Sequence, residues 1–349
     1  MKQVSSKICV ILILVLITLL FSACEDLNSS KLEYEINIDG ATCTITGIRG
    51  KQDEELVIPE KIDGYTVFAI ADEAFANCNF KTVVLPDSIT QIGKSAFEGC
   101  SLLENINIPQ QVTEIQERTF YECNNLKTIK FPEGITDIQN FAFWYCEKLE
   151  SIEFPSTLIN IGQGAFFYCK LLTEIDLPEG LKKIDGFGFG YCHSLTEVYI
   201  PASVETLNIP FASCYCLENI NVDIDNKYYI SVDGILYDKT LGVLYQYPGG
   251  KTETEFTIPA SVTYIQTWAF SLNHNLRSID IPSSVTLINA QFVMDCPNLN
   301  TINYSGTILR WNAIKKRDEW NIYWKNYDLD YTIYCTDGQI SKDGTVTYN

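Results

Sequence analysis

A proline recurs every 23 residues through the middle of the chain, and this interval constrains the fold more than any other feature. A phenylalanine usually follows 11 residues after the proline and a cysteine three residues later, as in Phe97 and Cys100. Periods of roughly 20–50 residues are typical of proteins built from stacked repeats, so the pattern predicts a solenoid. The prolines in register are Pro86, Pro109, Pro132, Pro155, Pro178 and Pro201, then Pro259 and Pro282.

Each unit contains a short segment with the alternation of a strand. Ile129 and Phe131 alternate with Thr128 and Lys130, which predicts a strand with one face buried. Pro132 ends this strand, because proline cannot donate the next hydrogen bond. One coil cannot cover its own apolar side, so stacked coils are expected to bury a continuous core.

The cysteines recur once per unit, and this spacing predicts an inward-facing column rather than a disulfide framework. The chain has 13 cysteines, which in an exported protein would usually suggest disulfides. Residues at one repeat position should have parallel Cα–Cβ vectors, so we expect small buried side chains. No C-x-x-C pair or histidine cluster is present, and we predict neither a metal site nor a cofactor.

The repeat resembles the BspA-type leucine-rich repeats of bacterial surface proteins. The matching elements are L-x-x-I-x-I/F-P, the following x-x-V/I-x-x-I and A-F-x-x-C, over residues 34–340. The resemblance implies a curved leucine-rich repeat solenoid, mostly β, with short helical or irregular turns. It also implies a surface-anchored protein-binding or adhesion module for a host or neighbouring-cell protein. Two alternatives remain open: a scaffold lipoprotein of the cell envelope without a host ligand, and a carbohydrate-binding accessory protein.

The domain organisation follows from the repeat boundaries. Ile308, Trp311 and Ile314 are spaced to form a short apolar helix face over the last coil. The segment after the sixth repeat proline is expected to be a hairpin that bulges from the stack. The predicted units are a signal peptide (1–23), a lipidated cysteine and polar tether (24–33), an N-terminal β cap (34–58), repeats with a hairpin insertion near 224–256 (59–303), and a C-terminal capping unit (304–349).

The N-terminus has the pattern of an export signal. Lys2 and Lys7 flank the start of an apolar stretch over residues 8–21, which is short for a membrane span. The sequence Leu20-Phe21-Ser22-Ala23-Cys24 resembles a bacterial lipobox, which implies cleavage before Cys24 and its lipidation. We therefore predict an exported protein in the cell envelope, at the cell surface, whose membrane contact is its lipid anchor alone.

The charge and the rarity of histidine exclude several classes of function. The formal net charge is −19, which disfavours nucleic acid and anionic lipid as partners of the protein surface. The only two histidines, His193 and His274, share one repeat position, expected to be an exposed turn. No catalytic residues are predicted, because nucleophilic catalysis needs a histidine held in a cleft by an orienting carboxylate.

The outward positions of the strands form the candidate partner-binding face. Five carboxylates and one tyrosine gather there in neighbouring units, and we expect the chain to act as a monomer. The set is either a solvated face or a recognition surface for a basic or mixed protein partner. The tyrosines of the insertion are a second candidate, although most are expected to pack within it. The face consists of Glu150, Glu153, Glu174, Asp176, Glu197 and Tyr199.

Overall fold

The computed structural model describes residues 31–50, 53–317 and 331–349 as a solenoid of about 11 turns. Within these three ranges the regular structure is almost entirely short strands, with one helix, α1 (Ile308–Ala313). In chain order the strands are β1 (Leu32–Ile36), β2 (Thr42–Ile48), β3 (Glu55–Val57), β4 (Lys61–Ile62), β5 (Tyr65–Ile70), β6 (Thr82–Val84), β7 (Gln91–Ile92), β8 (Asn105–Ile106), β9 (Glu114–Ile115), β10 (Thr128–Lys130), β11 (Asp137–Ile138), β12 (Ser151–Glu153), β13 (Asn160–Ile161), β14 (Lys183–Ile184), β15 (Glu197–Ile200), β16 (Thr206–Leu207), β17 (Asn219–Val222), β18 (Tyr229–Val232), β19 (Ile235–Asp238), β20 (Val243–Gln246), β21 (Glu255–Thr257), β22 (Tyr264–Ile265), β23 (Ser278–Ile281), β24 (Leu287–Ile288), β25 (Thr301–Tyr304), β26 (Lys315–Lys316), β27 (Thr332–Cys335), β28 (Gly338–Ile340) and β29 (Val346–Tyr348).

The strands that precede the repeat prolines, together with the equivalent strands of coils that lack this proline, form one side of the solenoid, here called the strand side. Neighbouring strands pair in parallel one unit apart, so that Thr128 lies opposite Ser151. Ile129 is buried between exposed Thr128 and Lys130, which confirms the predicted alternation. The strand side contains β3, β6, β8, β10, β12, β15, β17, β21, β23, β25 and β27.

One coil of the strand side has no regular strand, and strand pairing is also interrupted between β8 and β10. Residues 174–177, between β12 and β15, form no regular strand, although Ile175 and Leu177 are buried as in the other units. The outward residues of this coil are Glu174 and Asp176, with carboxylates in both neighbouring coils. Acidic residues have low strand propensity, and like charges opposite each other destabilise a strand pair. The coil therefore keeps its packing but not its pairing.

A second column of strands follows the prolines. Its central part is the parallel series β9, β11, β13, β14 and β16, in which Asp137 lies opposite Asn160. After the insertion the column continues as β20, β22, β24 and β26. At the N-terminus, β1 and β4 pair antiparallel with β2 and β5, and so complete the first coils.

The core lies between these columns and a third, turn-forming side. Its centre is a column of fully buried phenylalanine rings, in which Phe143 and Phe166 are stacked with centroids 5.1 Å apart. The repeat cysteines beside them are free thiols that donate to the phenylalanine carbonyl of the preceding coil. In this way Cys123 Sγ donates to the Phe97 carbonyl oxygen at 3.2 Å. The predicted inward column of cysteines is confirmed for these units.

The turn side depends on two left-handed residues in each coil, placed two before and two after the buried phenylalanine, or Val293 in the last such coil. This backbone turns N–H groups toward the next coil, and Phe97 N donates to the Thr119 carbonyl oxygen at 2.9 Å. Most of the left-handed residues are not glycine, so contacts between coils must offset their conformational cost. The pairs are Glu73 and Asn77, Ser95 and Gly99, Arg118 and Glu122, Phe141 and Tyr145, Gly164 and Tyr168, Phe187 and Tyr191, Ile209 and Ser213, Trp268 and Leu272, and Gln291 and Asp295.

The insertion after β17 differs from the predicted hairpin. β18, β19 and β20 form an antiparallel meander, and β20 then pairs in parallel with β22. Ile235, Leu236 and Leu244 are buried, so the segment is built into the stack and does not bulge from it. The return segment packs closely, because a Cβ on Gly250 would lie 2.6 Å from the backbone of Cys216.

The C-terminal end of the stack is covered by α1 and a hairpin. Ile308, Trp311 and Ile314 are buried, as the predicted apolar helix face requires. The N-cap Thr307 accepts from Arg310 N at 3.3 Å, and Asp337 Oδ1 accepts from Ile308 N at 2.8 Å. The second contact ties the helix to the hairpin of β27 and β28.

Candidate functional site

All six residues of the predicted face are exposed on the strand side. They occupy three consecutive coils. The second-column strands of these coils, β13, β14 and β16, pair with one another in that order, which shows that the coils are neighbours. Tyr199, its one aromatic member, is exposed to 47 %. The chain therefore brings Glu150, Glu153, Glu174, Asp176, Glu197 and Tyr199 onto one surface, called the acidic face below.

Three members of the acidic face have polar partners in neighbouring coils. Glu153 forms an ion pair with Lys130, and Glu197 accepts from the side-chain amide of Asn221. The Tyr199 hydroxyl donates to Asp223, and this hydrogen bond raises the pKa of Tyr199 to about 12. The same bond lowers the pKa of the Asp223 carboxyl.

The other three members, Glu150, Glu174 and Asp176, have neither an ion pair nor a side-chain hydrogen bond to any described residue. Many described carboxylates have no ion pair, in keeping with the net charge of −19, and the pairs that do form mostly join residues one coil apart. The centre of the acidic face is thus negative, and no described residue neutralises it. The ion pairs between coils are Lys81–Glu54, Lys94–Glu117, Arg118–Glu98, Lys127–Glu104, Lys130–Glu153, Lys170–Glu147 and Lys182–Glu205.

The structure also shows an aromatic surface on the turn side that we did not predict. Its rings occupy the one or two positions after the buried phenylalanine, with His193 and Tyr215 at its C-terminal end. Most are half-buried, and Tyr215 is exposed to 41 %. The aromatic stripe consists of Tyr121, Trp144, Tyr145, Phe167, Tyr168, Tyr191, His193 and Tyr215.

The rings of the aromatic stripe stack along the solenoid axis. Trp144 lies on Phe167 with centroids 3.8 Å apart and planes inclined by 10°, and Tyr145 lies on Tyr168 at 4.5 Å. Because the ring faces cover one another, the stripe presents mainly ring edges to solvent. The sequence pattern was available, since A-F-x-x-C has aromatic residues at both free positions in two consecutive units.

One of the two histidines differs from expectation. His274 is exposed, but His193 is half-buried between the rings of Tyr168, Tyr191 and Tyr215. Burial, with a smaller contribution from Lys170, lowers the pKa of His193. The repeat position that carries both histidines is therefore open at one coil and enclosed by aromatic neighbours at another.

The tyrosines of the insertion mostly pack inward, as we expected. Tyr229, Tyr237 and Tyr247 are buried and Tyr245 is half-buried, which leaves Tyr228 as the exposed member at 48 %. They do not form a second exposed aromatic surface.

The N-terminal predictions concern residues that lie outside those the structure describes. Cys24, the signal peptide and most of the tether precede the described residues. Across residues 31–50, 53–317 and 331–349, no helix is long and apolar enough to span a membrane. The same residues contain no cluster of three potential metal-binding His, Cys, Asp or Glu side chains.

Comparison with solved structures places the solenoid among bacterial leucine-rich repeat proteins. A leucine-rich cell surface protein from Faecalibacterium prausnitzii matches with a TM-score of 0.70 and 25% identity over 82% of this chain and 96% of the other. A leucine-rich repeat protein from Bacteroides ovatus matches with a TM-score of 0.62 and 24% identity, over 88% and 76%. The T. pallidum leucine-rich repeat protein is 32% identical over 54% of this chain and 88% of its own, with a TM-score of 0.51.

The family assignment rests on the repeats themselves. A search of curated proteins found no match. The model of the BspA type leucine rich repeat region matches six copies, over residues 54–156, 136–232 and 249–314. These segments include the columns of proline, phenylalanine and cysteine described above, and the chain belongs to the BspA-type leucine-rich repeat family.

Proposed function

We propose that this chain is a cell-surface protein that binds a partner protein through the acidic face. Leucine-rich repeat solenoids offer a broad, laddered surface, and the similar protein from Faecalibacterium prausnitzii is described as a cell surface protein. The proposal is for a binding protein of the adhesion type and assigns no catalytic residue.

The observation that supports this proposal is the unneutralised centre of the acidic face. Glu174 and Asp176 occupy the coil whose strand pairing is interrupted, and they have no counter-charge among the described residues. Charges of one sign on an exposed surface steer an oppositely charged partner and set the salt dependence of association. Tyr199 at the border adds an aromatic side chain of the kind enriched at the energetic centres of interfaces. The partner should therefore present a basic patch.

Binding to immobilised fibronectin, laminin and collagen tests the proposal. We expect at least one of these matrix proteins to bind, with an affinity that falls as salt rises. The double variant Glu174→Lys/Asp176→Lys should weaken binding by about tenfold or more, because it reverses the charge that meets the partner. The matched control Glu60→Lys/Asp87→Lys makes the same change in net charge at exposed residues elsewhere.

Two outcomes would contradict the proposed face. One is that none of the three matrix proteins binds. The other is that the control variant weakens binding as much as the Glu174 and Asp176 variant, which would make the effect one of net charge alone.

We further propose that Cys24 carries a lipid anchor, on the basis of the lipobox-like sequence that ends at this residue. Protease treatment of intact cells should release solenoid fragments if the protein faces outward. Cys24→Ala should move the protein from the membrane fraction to the soluble fraction, since two or more acyl chains are needed for stable anchorage.

A further inference from the structure

A small crevice lies between the capping helix α1 and the coil that contains Pro282. Its volume is about 200 Å³, less than the roughly 300–1,000 Å³ of sites for drug-sized ligands. A space of this size suits one functional group and the few carbon atoms beside it. We call it the cap crevice, and it is lined by Ser283, Val285, Thr286, Tyr304, Arg310, Ala313 and Ile314.

Tyr304, the last residue of β25, brings a hydroxyl without a partner to the cap crevice. The residue is 4 % exposed, and its hydroxyl forms no hydrogen bond with the residues that the structure describes. The hydroxyl is not sealed from solvent either, so it opens into the crevice that Tyr304 lines. The ring packs against Trp311, with centroids 5.3 Å apart, and against Gly306, where a Cβ would lie 2.5 Å from the ring. The position of the hydroxyl is therefore fixed before a ligand binds.

Arg310 of α1 supplies the positive charge of the cap crevice. Its side chain is exposed and forms no ion pair with a described carboxylate. Burial raises the pKa of Tyr304, and the charge of Arg310 opposes this shift, which indicates that the guanidinium acts on the hydroxyl. A guanidinium can donate two parallel hydrogen bonds to one carboxylate, and these are stronger than bonds between neutral groups.

The charges beside the cap crevice are positive, in contrast to the net charge of −19 for the whole chain. Lys315 N donates to the carbonyl oxygen of the lining residue Thr286 at 3.0 Å, and the Lys315 side chain is exposed. Lys316 Nζ donates to the Trp311 carbonyl oxygen at 2.6 Å, so a cation already neutralises this end of α1. Asp337, the carboxylate bonded to α1, accepts at the opposite end of the helix. The crevice is thus a place where an anion is attracted.

We propose that the cap crevice binds a carboxylate group on a short aliphatic chain, either of a free carboxylic acid or at the C-terminus of a peptide. The carboxylate accepts hydrogen bonds from Arg310, from the Tyr304 hydroxyl and from the hydroxyl of Ser283. Ser283 is exposed and has no hydrogen bond to another described residue. The three donors line one space and have no competing partner among the described residues, as a site for a single anionic group requires.

The remaining walls favour a carboxylate over phosphate. Val285, Ala313 and Ile314 line the cap crevice with apolar side chains, which the carbon atoms next to a carboxylate can cover. Inorganic phosphate has no apolar part and would leave these side chains in contact with water. The cap crevice lies at the C-terminal end of the solenoid, so this proposal does not depend on the acidic face.

Saturation-transfer NMR on the purified chain tests the proposal. The probes are propionate, N-acetyl-alanylalanine, the C-terminal amide of the same dipeptide, and inorganic phosphate as a competitor. We expect saturation transfer to propionate, to the dipeptide acid or to both, and none to the dipeptide amide. Tighter binding of the dipeptide acid than of propionate would identify a peptide C-terminus as the ligand, and the reverse order would identify a free acid.

Two variants test the residues that carry the proposal. Arg310→Gln should weaken carboxylate binding about tenfold or more, because the charged donor is lost. Tyr304→Phe should weaken it about three- to tenfold, as loss of one hydrogen bond predicts. Both variants should keep the melting temperature of the parent, since the Arg310 side chain is exposed and the Tyr304 hydroxyl has no described partner.

Arg277→Gln is the matched control. Arg277 is exposed, forms no ion pair with a described residue and lies outside the cap crevice, so its loss changes the net charge equally and should leave binding unchanged. Four results would overturn the proposal: no saturation transfer to either carboxylate, equal binding of the dipeptide amide, full binding by both crevice variants, or displacement of propionate by phosphate below the dissociation constant of propionate. Equal weakening by Arg277→Gln and Arg310→Gln would reduce the effect to net charge and would also overturn it.

Discussion

At the scale of single residues, the repeat cysteines couple the stability of the solenoid to pH. Burial raises the pKa of Cys100 to about 12 and that of Cys296 to about 12, from an ordinary value of 9.0. Burial also raises the pKa of the Cys123, Cys169 and Cys192 thiols well above that value. An unfolded chain exposes all these thiols and releases their protons at a lower pH than the folded chain does.

The sign of this effect predicts unfolding in alkali. Below pH 9 the thiols are protonated in both the folded and the unfolded state, so their full contribution to the free energy of unfolding is present. Above pH 9 the unfolded state binds fewer protons, and each thiol lowers the free energy of unfolding by about 1.4 kcal/mol per pH unit. Urea unfolding under reducing conditions at pH 7.5 and pH 10 should show the loss.

Cys169→Ser separates the thiol from other alkaline groups. Serine can keep the hydrogen bond to the Phe143 carbonyl oxygen but does not titrate in this range. The variant should be less stable at neutral pH and lose less on going to pH 10. If the parent and the variant lose equal free energy of unfolding between neutral pH and pH 10, the Cys169 thiol does not cause the alkaline destabilisation.

At the scale of elements, the interrupted strand at residues 174–177 links stability to the proposed binding face. Glu174→Thr/Asp176→Thr should raise the free energy of unfolding by roughly 1 kcal/mol, because it removes like charges and introduces good strand formers. Hydrogen exchange should show increased protection of the amides in this coil. The control variant Glu60→Thr/Asp87→Thr removes the same number of charges elsewhere and should leave the protection of residues 174–177 unchanged. Equal protection of this coil in both variants would contradict the explanation.

The sequence was sufficient to predict what the coils share, and insufficient for what distinguishes them. The inward columns follow from the repeat because each position meets its own copy in the next coil. The interruption at Glu174 and the built-in insertion depend instead on residues that differ between neighbours. The contact between Phe187 and Trp268 was hidden for the same reason, since the two residues lie 81 positions apart in the sequence, whereas their ring centroids are 4.9 Å apart in the folded chain.

At the scale of the whole molecule, the buried residues form two cores that meet within β19. The first core extends from Leu32 to Leu236, and the second from Ile235 to Ile340. Ile235 and Leu236 belong to different cores because successive residues of a strand point to opposite faces. Stacked repeats contact only their neighbours, so the insertion is the natural place for cooperativity to weaken.

Matched core variants should therefore unfold different parts of the chain. Phe270→Ala should cost about 3–5 kcal/mol and reduce hydrogen-exchange protection over residues 259–303, while residues 80–200 stay protected. Phe166→Ala should have the converse effect, since both rings are fully buried. Equal loss of protection over both ranges in either variant would show one cooperative unit.

The distances between partners along the chain have a consequence for how such a molecule can change in length. The thiol-to-carbonyl bonds join residues 25 or 26 positions apart, and the carboxylate pairs Glu104–Lys127 and Lys182–Glu205 join residues 23 apart. If a complete unit were duplicated, the neighbouring units would provide a partner for each of these hydrogen bonds and ion pairs. If a single residue were inserted, the partners in that coil would no longer lie opposite each other. Genetic change by complete units is thus the route by which descendants of this protein could extend their surface without a new core.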